Sequence, residues 1–238
     1  MTLRATSIQI ERLAVFSTCE LADALVKLKH PTGGYIPDLE RFSGDEGMTL
    51  VGEAFTVEMV DARETDAPKI EGHFVDAVER GTVCFISIPP QVKNASLGGL
   101  LATALSVKGV KGCVTSGWIR DLSEMRELGF PVFARGHSIL GQSPFTRVSR
   151  LQLPLTIHPV PPASSAPDIP SEWAFPPTVV HPYDIVVADA DGVLVVRPES
   201  LEEVLTSAQE GREVDERCLR DLKEGKGVAE TFKRWRGK

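Results

Sequence analysis

Two short runs carry the residue types from which a site for a small anion can be built. The first is Ala95-Ser96-Leu97-Gly98-Gly99-Leu100-Leu101-Ala102. There a strand ending near Pro89 gives way to a helix entered through two glycines. The first turn of a helix has unpaired N–H groups and the positive end of the helix dipole. Glycine lets a ligand approach that backbone closely, so a carboxylate or phosphate suits the place. A plain tight turn into a helix accounts for the same residues. The second run is Thr115-Ser116-Gly117-Trp118-Ile119-Arg120-Asp121, which follows the next strand at the same end of the expected sheet. Open α/β sheets bind ligands at the carboxyl ends of their strands. Arg120 offers a planar fork for a carboxylate or a developing oxyanion. Asp121 offers a hard oxygen for Mg²⁺. Both residues also have a structural reading. Asp121-Leu122-Ser123-Glu124 is a D-x-x-E helix cap, and Arg120 fits a surface ion pair of little energetic weight.

The elements that must position these runs follow from pattern. Ser17-Thr18-Cys19-Glu20 is a capping box, and Leu21, Ala24, Leu25 and Leu28 share one face of a helix over about 18–29. Residues 31–49 are turn-rich and read as loop. Residues 54–60 alternate as a half-buried strand, 71–80 read as a short helix, and 83–88 as a buried strand. A helix over 100–108, a strand over 112–115, a helix over 121–128 and a strand over 131–134 follow. This alternation argues for an α/β layer with parallel pairing. A strand is expected within 153–160, and Asp191-Gly192 is a hairpin turn between two β runs, 185–189 and 192–196. Residues 198–209 form a helix with Pro198 in its first turn. The last stretch is helical in pattern, broken by Gly225 and Gly227, and its basic end, 233–238, reads as a solvated tail.

Composition narrows the function classes. The 238 residues carry 26 Lys and Arg against 33 Asp and Glu, a net charge of −7. No global basic surface exists to displace counterions, so nucleic acid is not an expected partner. No run of about 18 apolar residues occurs, so no membrane span is expected. Cys19, Cys84, Cys113 and Cys218 form no CxxC, and the N-terminal run lacks the apolar centre of a signal peptide. A reducing, cytoplasmic setting is the expectation. No GxxxxGK[ST], strand-linked GxGxxG, HExxH or GxSxG occurs. His73 and His137 each stand alone beside a glycine and read as structural.

The run 98–136, and above all Arg120-Asp121 followed by ELGFPVFARG at 127–136, resembles the RraA-like family. Weaker similarity extends to Ser17–Leu25, Gly81-Thr82-Val83 and Asp184–Val196, about two-thirds of the chain in all. That family includes class II 4-hydroxy-4-methyl-2-oxoglutarate aldolases, which also decarboxylate oxaloacetate, and the regulator of ribonuclease activity A. The resemblance implies an α/β, swivelling β/α/β fold with a mixed sheet flanked by helices. The chain reads as one such domain over 1–210, with a Pro-rich surface loop at 159–177, and a C-terminal helical extension over 211–238; the loop and roughly the last 25 residues lie outside the resemblance. It implies a homotrimer or hexamer with sites between subunits.

Residue by residue, the resemblance puts the substrate carboxylate on the backbone amides of Gly98, Gly99, Leu100 and Leu101. Arg120 would bind the 2-oxo acid and stabilise its enolate, and Asp121 would hold Mg²⁺ or Mn²⁺. The implied reaction is a metal-dependent retro-aldol cleavage or β-decarboxylation through a pyruvate enolate. A non-catalytic regulator that binds a protein partner, and a divergent lyase with a specialised substrate, are the alternatives. Aldolase members commonly have Glu where this chain has Gly99, and Asp-Gly where it has Ser116-Gly117. Proton delivery is therefore unassigned. Glu58 and Glu71 are the acids at hand, with nothing in the sequence to favour either.

Overall fold

The computed structural model describes residues 4–160 and 174–237. Helices α1 (Ser7–Leu13) and α2 (Thr18–Lys27) each start at a capping box, Thr6 with Gln9 and Ser17 with Glu20. Strands β1 (Tyr35–Ile36), β2 (Glu40–Ser43) and β3 (Leu50–Asp61) follow, then helix α3 (Phe74–Ala77) and strand β4 (Val83–Ser87). The centre of the chain is β5 (Ala95–Leu97), α4 (Gly99–Lys108), β6 (Gly112–Thr115), β7 (Trp118–Ile119) and α5 (Leu122–Leu128). Next come β8 (Val132–Ala134), β9 (Gly136–His137), β10 (Thr146–Leu151) and β11 (Leu155–Ile157). Strands β12 (Thr178–Val180), β13 (Ile185–Ala188) and β14 (Val193–Val196) precede α6 (Leu201–Lys223) and α7 (Val228–Arg236).

The main sheet has the order β1-β14-β13-β3-β4-β6-β8-β2, with β10 also pairing β3. Its centre, β3-β4-β6-β8, is parallel and the remaining pairs are antiparallel. Helices α3, α4 and α5 cover one face through a core that includes Phe74, Leu105 and Met125. Helices α1, α2 and α6 pack on the β13–β14 hairpin through Leu13, Leu21, Leu201 and Val204. The result is the mixed, helix-flanked α/β sheet expected from the sequence.

A second sheet positions the candidate site. After β4, β6 and β8 the chain makes three short excursions, and these pair in parallel as β5-β7-β9. The register sets Ala95 opposite Trp118 and Leu97 opposite Ile119. The residues that follow, Gly98 and Arg120, therefore emerge side by side. Hydrogen bonds hold the excursions down: Ser96 Oγ meets Thr115 Oγ1 at 2.8 Å, and Trp118 Nε1 donates to the Val92 carbonyl at 3.1 Å.

The structure departs from the sequence reading in several places. Residues 31–49 contain β1 and β2, edge strands too short to show a period among turn residues. Strand β3 starts at Leu50 and is buried along most of its length, because β13, β4 and β10 flank it. The expected helix at 71–80 contracts to one turn, capped by His73 Nδ1, which accepts from the Val75 N–H. Helix α6 runs on to Lys223, since nothing breaks it before Gly225. The basic end is no free tail. Trp235 Nε1 donates to Asp221 Oδ2 at 2.8 Å and Arg236 pairs Asp215 at 2.6 Å, docking α7 on α6. Most of the Pro-rich stretch lies outside the described residues. No helix among the described residues is long and apolar enough to cross a membrane.

Ile119 is fully buried at the centre of the small sheet. Ile119→Ala should cost about 2–5 kcal/mol, the usual cost of truncating a buried Ile to Ala. Urea unfolding followed by circular dichroism checks this.

Candidate functional site

The parallel β5–β7 register places the starts of α4 and α5 together. Gly98 is the N-cap of α4 and supplies no side-chain cap. Three N–H groups therefore open the helix without intrahelical partners. One is already used: Gly99 N–H donates to Asp121 Oδ2 at 3.0 Å. Those of Leu100 and Leu101 have no backbone partner among the described residues.

Asp121 sits at the N-cap position of α5, but its side chain makes no cap hydrogen bond there. Its backbone is left-handed, at φ 62° and ψ 46°. Aspartate tolerates that region better than most residues. The D-x-x-E capping reading is thus overturned. The carboxylate turns across to α4 and ties one helix start to the other. Arg120 Nε stands 3.4 Å from Asp121 Oδ2, and its own backbone N–H donates to the Leu97 carbonyl at 3.0 Å. Its guanidinium lies against Gly141, where a Cβ would come within 2.8 Å of Nη1. Both side chains are partly exposed, so their mutual attraction is screened and the arrangement depends more on the backbone than on the ion pair.

These residues line a cavity of about 490 Å³ that takes in Ser96, Gly98, Leu101, Arg120, Asp121 and Glu124. Leu100 also lines it, while Gly99 lies beneath its Asp121 bond. The structure therefore brings together Gly98, Gly99, Leu100, Leu101, Arg120 and Asp121. It adds Glu124, one turn into α5. In the sequence, Glu124 stands out only as the last residue of the D-x-x-E pattern. A larger groove of about 600 Å³ is built from other elements, with Ile8, Val15, Phe16 and Leu205 in its lining.

Other candidates fall elsewhere. Buried Ser116 accepts from the Ile88 N–H at 3.2 Å and faces a separate cleft of about 230 Å³ with Glu58, Arg135 and His158. Glu58 stands 3.6 Å from Arg150. Burial lowers the Arg135 guanidinium from its ordinary value, opposed by Asp38. Glu71 is exposed outside the cavity, and His137 stacks edge-on with Phe42.

The fold is a mixed α/β sheet whose two paired helix starts border a cavity lined by one guanidinium and two carboxylates. The family model described as "RraA-like: Aldolase/RraA" matches residues 18–195. The chain belongs to the RraA-like family. It is 27% identical over 200 residues to a putative 4-hydroxy-4-methyl-2-oxoglutarate aldolase of Halalkalibacterium halodurans, covering 84% of this chain and 81% of that protein. It is 28% identical over 209 residues to an uncharacterised protein of Methanocaldococcus jannaschii, covering 86% of each. Two solved structures share the fold. A Pseudomonas syringae protein aligns with TM-score 0.75 at 21% identity, over 96% of this chain and 98% of that one. Streptomyces coelicolor RraAS2, described as an unusual member of the RNase ES inhibitor RraA family, gives 0.70 at 23% identity, over 91% and 98%.

Asp121→Ala removes the acceptor of the Gly99 N–H and leaves a less tolerant residue in a left-handed conformation. It should destabilise by about 1–3 kcal/mol. Asp121→Asn keeps an acceptor and the backbone preference, so its melting temperature should stay close to the parent's. Thermal unfolding of the two variants compares them directly.

Proposed function

We propose that this chain is a divalent-metal-dependent carbon–carbon lyase acting on a 2-oxo acid through a pyruvate enolate. The reactions are retro-aldol cleavage of 4-hydroxy-4-methyl-2-oxoglutarate type substrates and decarboxylation of oxaloacetate. The observation that carries this reading is the fixed triangle of Arg120, Asp121 and the open start of α4. The family relationship, with an aldolase-named relative, supports it.

The free N–H groups of Leu100 and Leu101 bind the substrate's C1 carboxylate, helped by the helix dipole. Arg120 reaches the same carboxylate and the keto oxygen, and sets positive charge where the oxyanion develops. Among the described residues no set of three His, Cys, Asp or Glu side chains converges as a full ligand set. The donors present still fit Mg²⁺ or Mn²⁺. Mg²⁺ keeps several waters and needs one or two carboxylates, and Asp121 supplies hard oxygens in the cavity. Asp121 is assigned as the metal-holding residue. A bound divalent ion supplies Lewis-acid stabilisation of the charge on the keto oxygen.

The exposed apolar residues Leu100, Val107 and Ile139 flank this region, on and near α4. They support assembly into a homotrimer or hexamer that closes the cavity. The unpaired cysteines are consistent with a cytoplasmic protein.

The test is pyruvate release from oxaloacetate with Mg²⁺ or Mn²⁺, against EDTA and a metal-only background. EDTA-sensitive turnover is expected. Arg120→Ala should reduce it by about 10²–10³-fold, as loss of an oxyanion donor does. Absence of turnover in the parent would favour a binding protein akin to the RNase ES inhibitor relative.

A further inference from the structure

We propose that Glu124 is the general base and acid of this site, a role that rests on the lyase reading above. The observation is an unusual piece of room-making. A Cβ built on Gly99 would lie 1.9 Å from Glu124 Oε2 and 2.9 Å from its Cδ. The carboxylate of Glu124 therefore occupies the space a side chain at position 99 would take. It stands over the start of α4, inside the cavity that Arg120 and Asp121 line.

The two carboxylates of the cavity are not equivalent. Asp121 accepts the Gly99 N–H at 3.0 Å and has Arg120 Nε at 3.4 Å, while Glu124 has no hydrogen bond or ion pair among the described residues. A carboxylate held by a backbone donor and a guanidinium is fixed in position. A carboxylate without partners, on a side chain with three rotatable bonds, can swing to meet a substrate hydroxyl. Asp121 thus suits a fixed electrostatic role and Glu124 a proton-transfer role. Neither Glu58 nor Glu71 reaches this cavity.

The step balances without a further reagent. The Glu124 carboxylate takes the proton of the C4 hydroxyl, and the C4–O electrons form the new carbonyl. The C3–C4 bond breaks, and its pair enters the C2–C3 enolate, with charge on the keto oxygen beside Arg120. The Glu124 carboxyl then returns the proton to C3. One hydroxy-oxo acid gives pyruvate and a second carbonyl compound, with nothing oxidised or reduced.

Decarboxylation of oxaloacetate differs in one respect: CO₂ leaves without proton abstraction. The test is therefore the ratio of retro-aldol to decarboxylation rate, measured with Mg²⁺ on the parent and on Glu124→Gln. The ratio should fall by about 10²–10⁴-fold, the usual contribution of a general base. Exchange of the pyruvate C3 protons with D₂O, followed by NMR, should fall with it. Gly99→Ala, which displaces the carboxylate without removing it, should lower the ratio in the same direction. An unchanged ratio in Glu124→Gln overturns the assignment, as does a parent that decarboxylates without retro-aldol activity. A parent with neither activity overturns the lyase reading itself.

Discussion

The site depends on one constraint, the parallel register between two very short strands. Leu97 opposite Ile119 brings the ends of β5 and β7 level, so whatever follows each strand meets its counterpart. Gly98 and Gly99 meet Arg120 and Asp121. The Gly99 N–H to Asp121 bond then locks the two helix starts together. A shift of one residue would point the Arg120 and Asp121 side chains to other faces and break that bond, because strand side chains alternate. The fully buried Leu97 and Ile119 hold the register from inside. Apolar packing directly beneath the site thus sets the geometry of the charged groups.

This arrangement explains two backbone oddities at once. A left-handed Asp121 fits a connection in which only Arg120 and Asp121 separate β7 from α5. The same turn aims the carboxylate at α4 and away from α5's own N–H groups. The glycines at 98 and 99 are required by what approaches them, not by their own torsions: Asp121 Oδ2 would lie 2.7 Å from a Cβ on Gly98. The unusual residues and the unusual contacts are one feature, and strain of this kind tends to gather at functional places.

Much of this was legible in sequence. The capping box at Ser17, the hairpin at Asp191-Gly192 and the buried strands at 83–87 and 112–115 all carry strong local signals. Gly98 to Leu101 and Arg120-Asp121 also stand out in sequence as runs at the same end of the expected sheet. The short strands were not legible. Strands of two or three residues have no period to detect, and β5, β7 and β9 exist only because they pair with one another. For the same reason the capping alternative for Asp121 is not decidable from sequence. D-x-x-E is a sound cap pattern, and only the neighbouring helix start, 22 residues away in sequence, decides otherwise. Ser116 was placed with Arg120 because they are close in the chain. The excursion of β7 carries them to different cavities.

That separation bears on how the fold supports chemistry. In a simple open sheet, ligands gather at the carboxyl ends of the main strands. Here those ends, at Ser87 and Ser116, border a smaller cleft, and the chain goes one strand further before presenting Arg120. The second sheet lifts the charged residues clear of the main core. They remain partly exposed, so a protomer pays little desolvation for holding two carboxylates and a guanidinium near one another. The cost of that openness is weak electrostatics, since exposed charges are screened. On the proposed lyase reading, a substrate with two carboxylates and a keto group, arriving with a divalent ion, would displace water from this cavity and strengthen every one of those interactions. The exposed apolar flank of α4, at Leu100 and Val107, is where a neighbouring surface would complete the enclosure. If assembly closes the cavity in this way, the chain would supply position, and enclosure the field that makes position count.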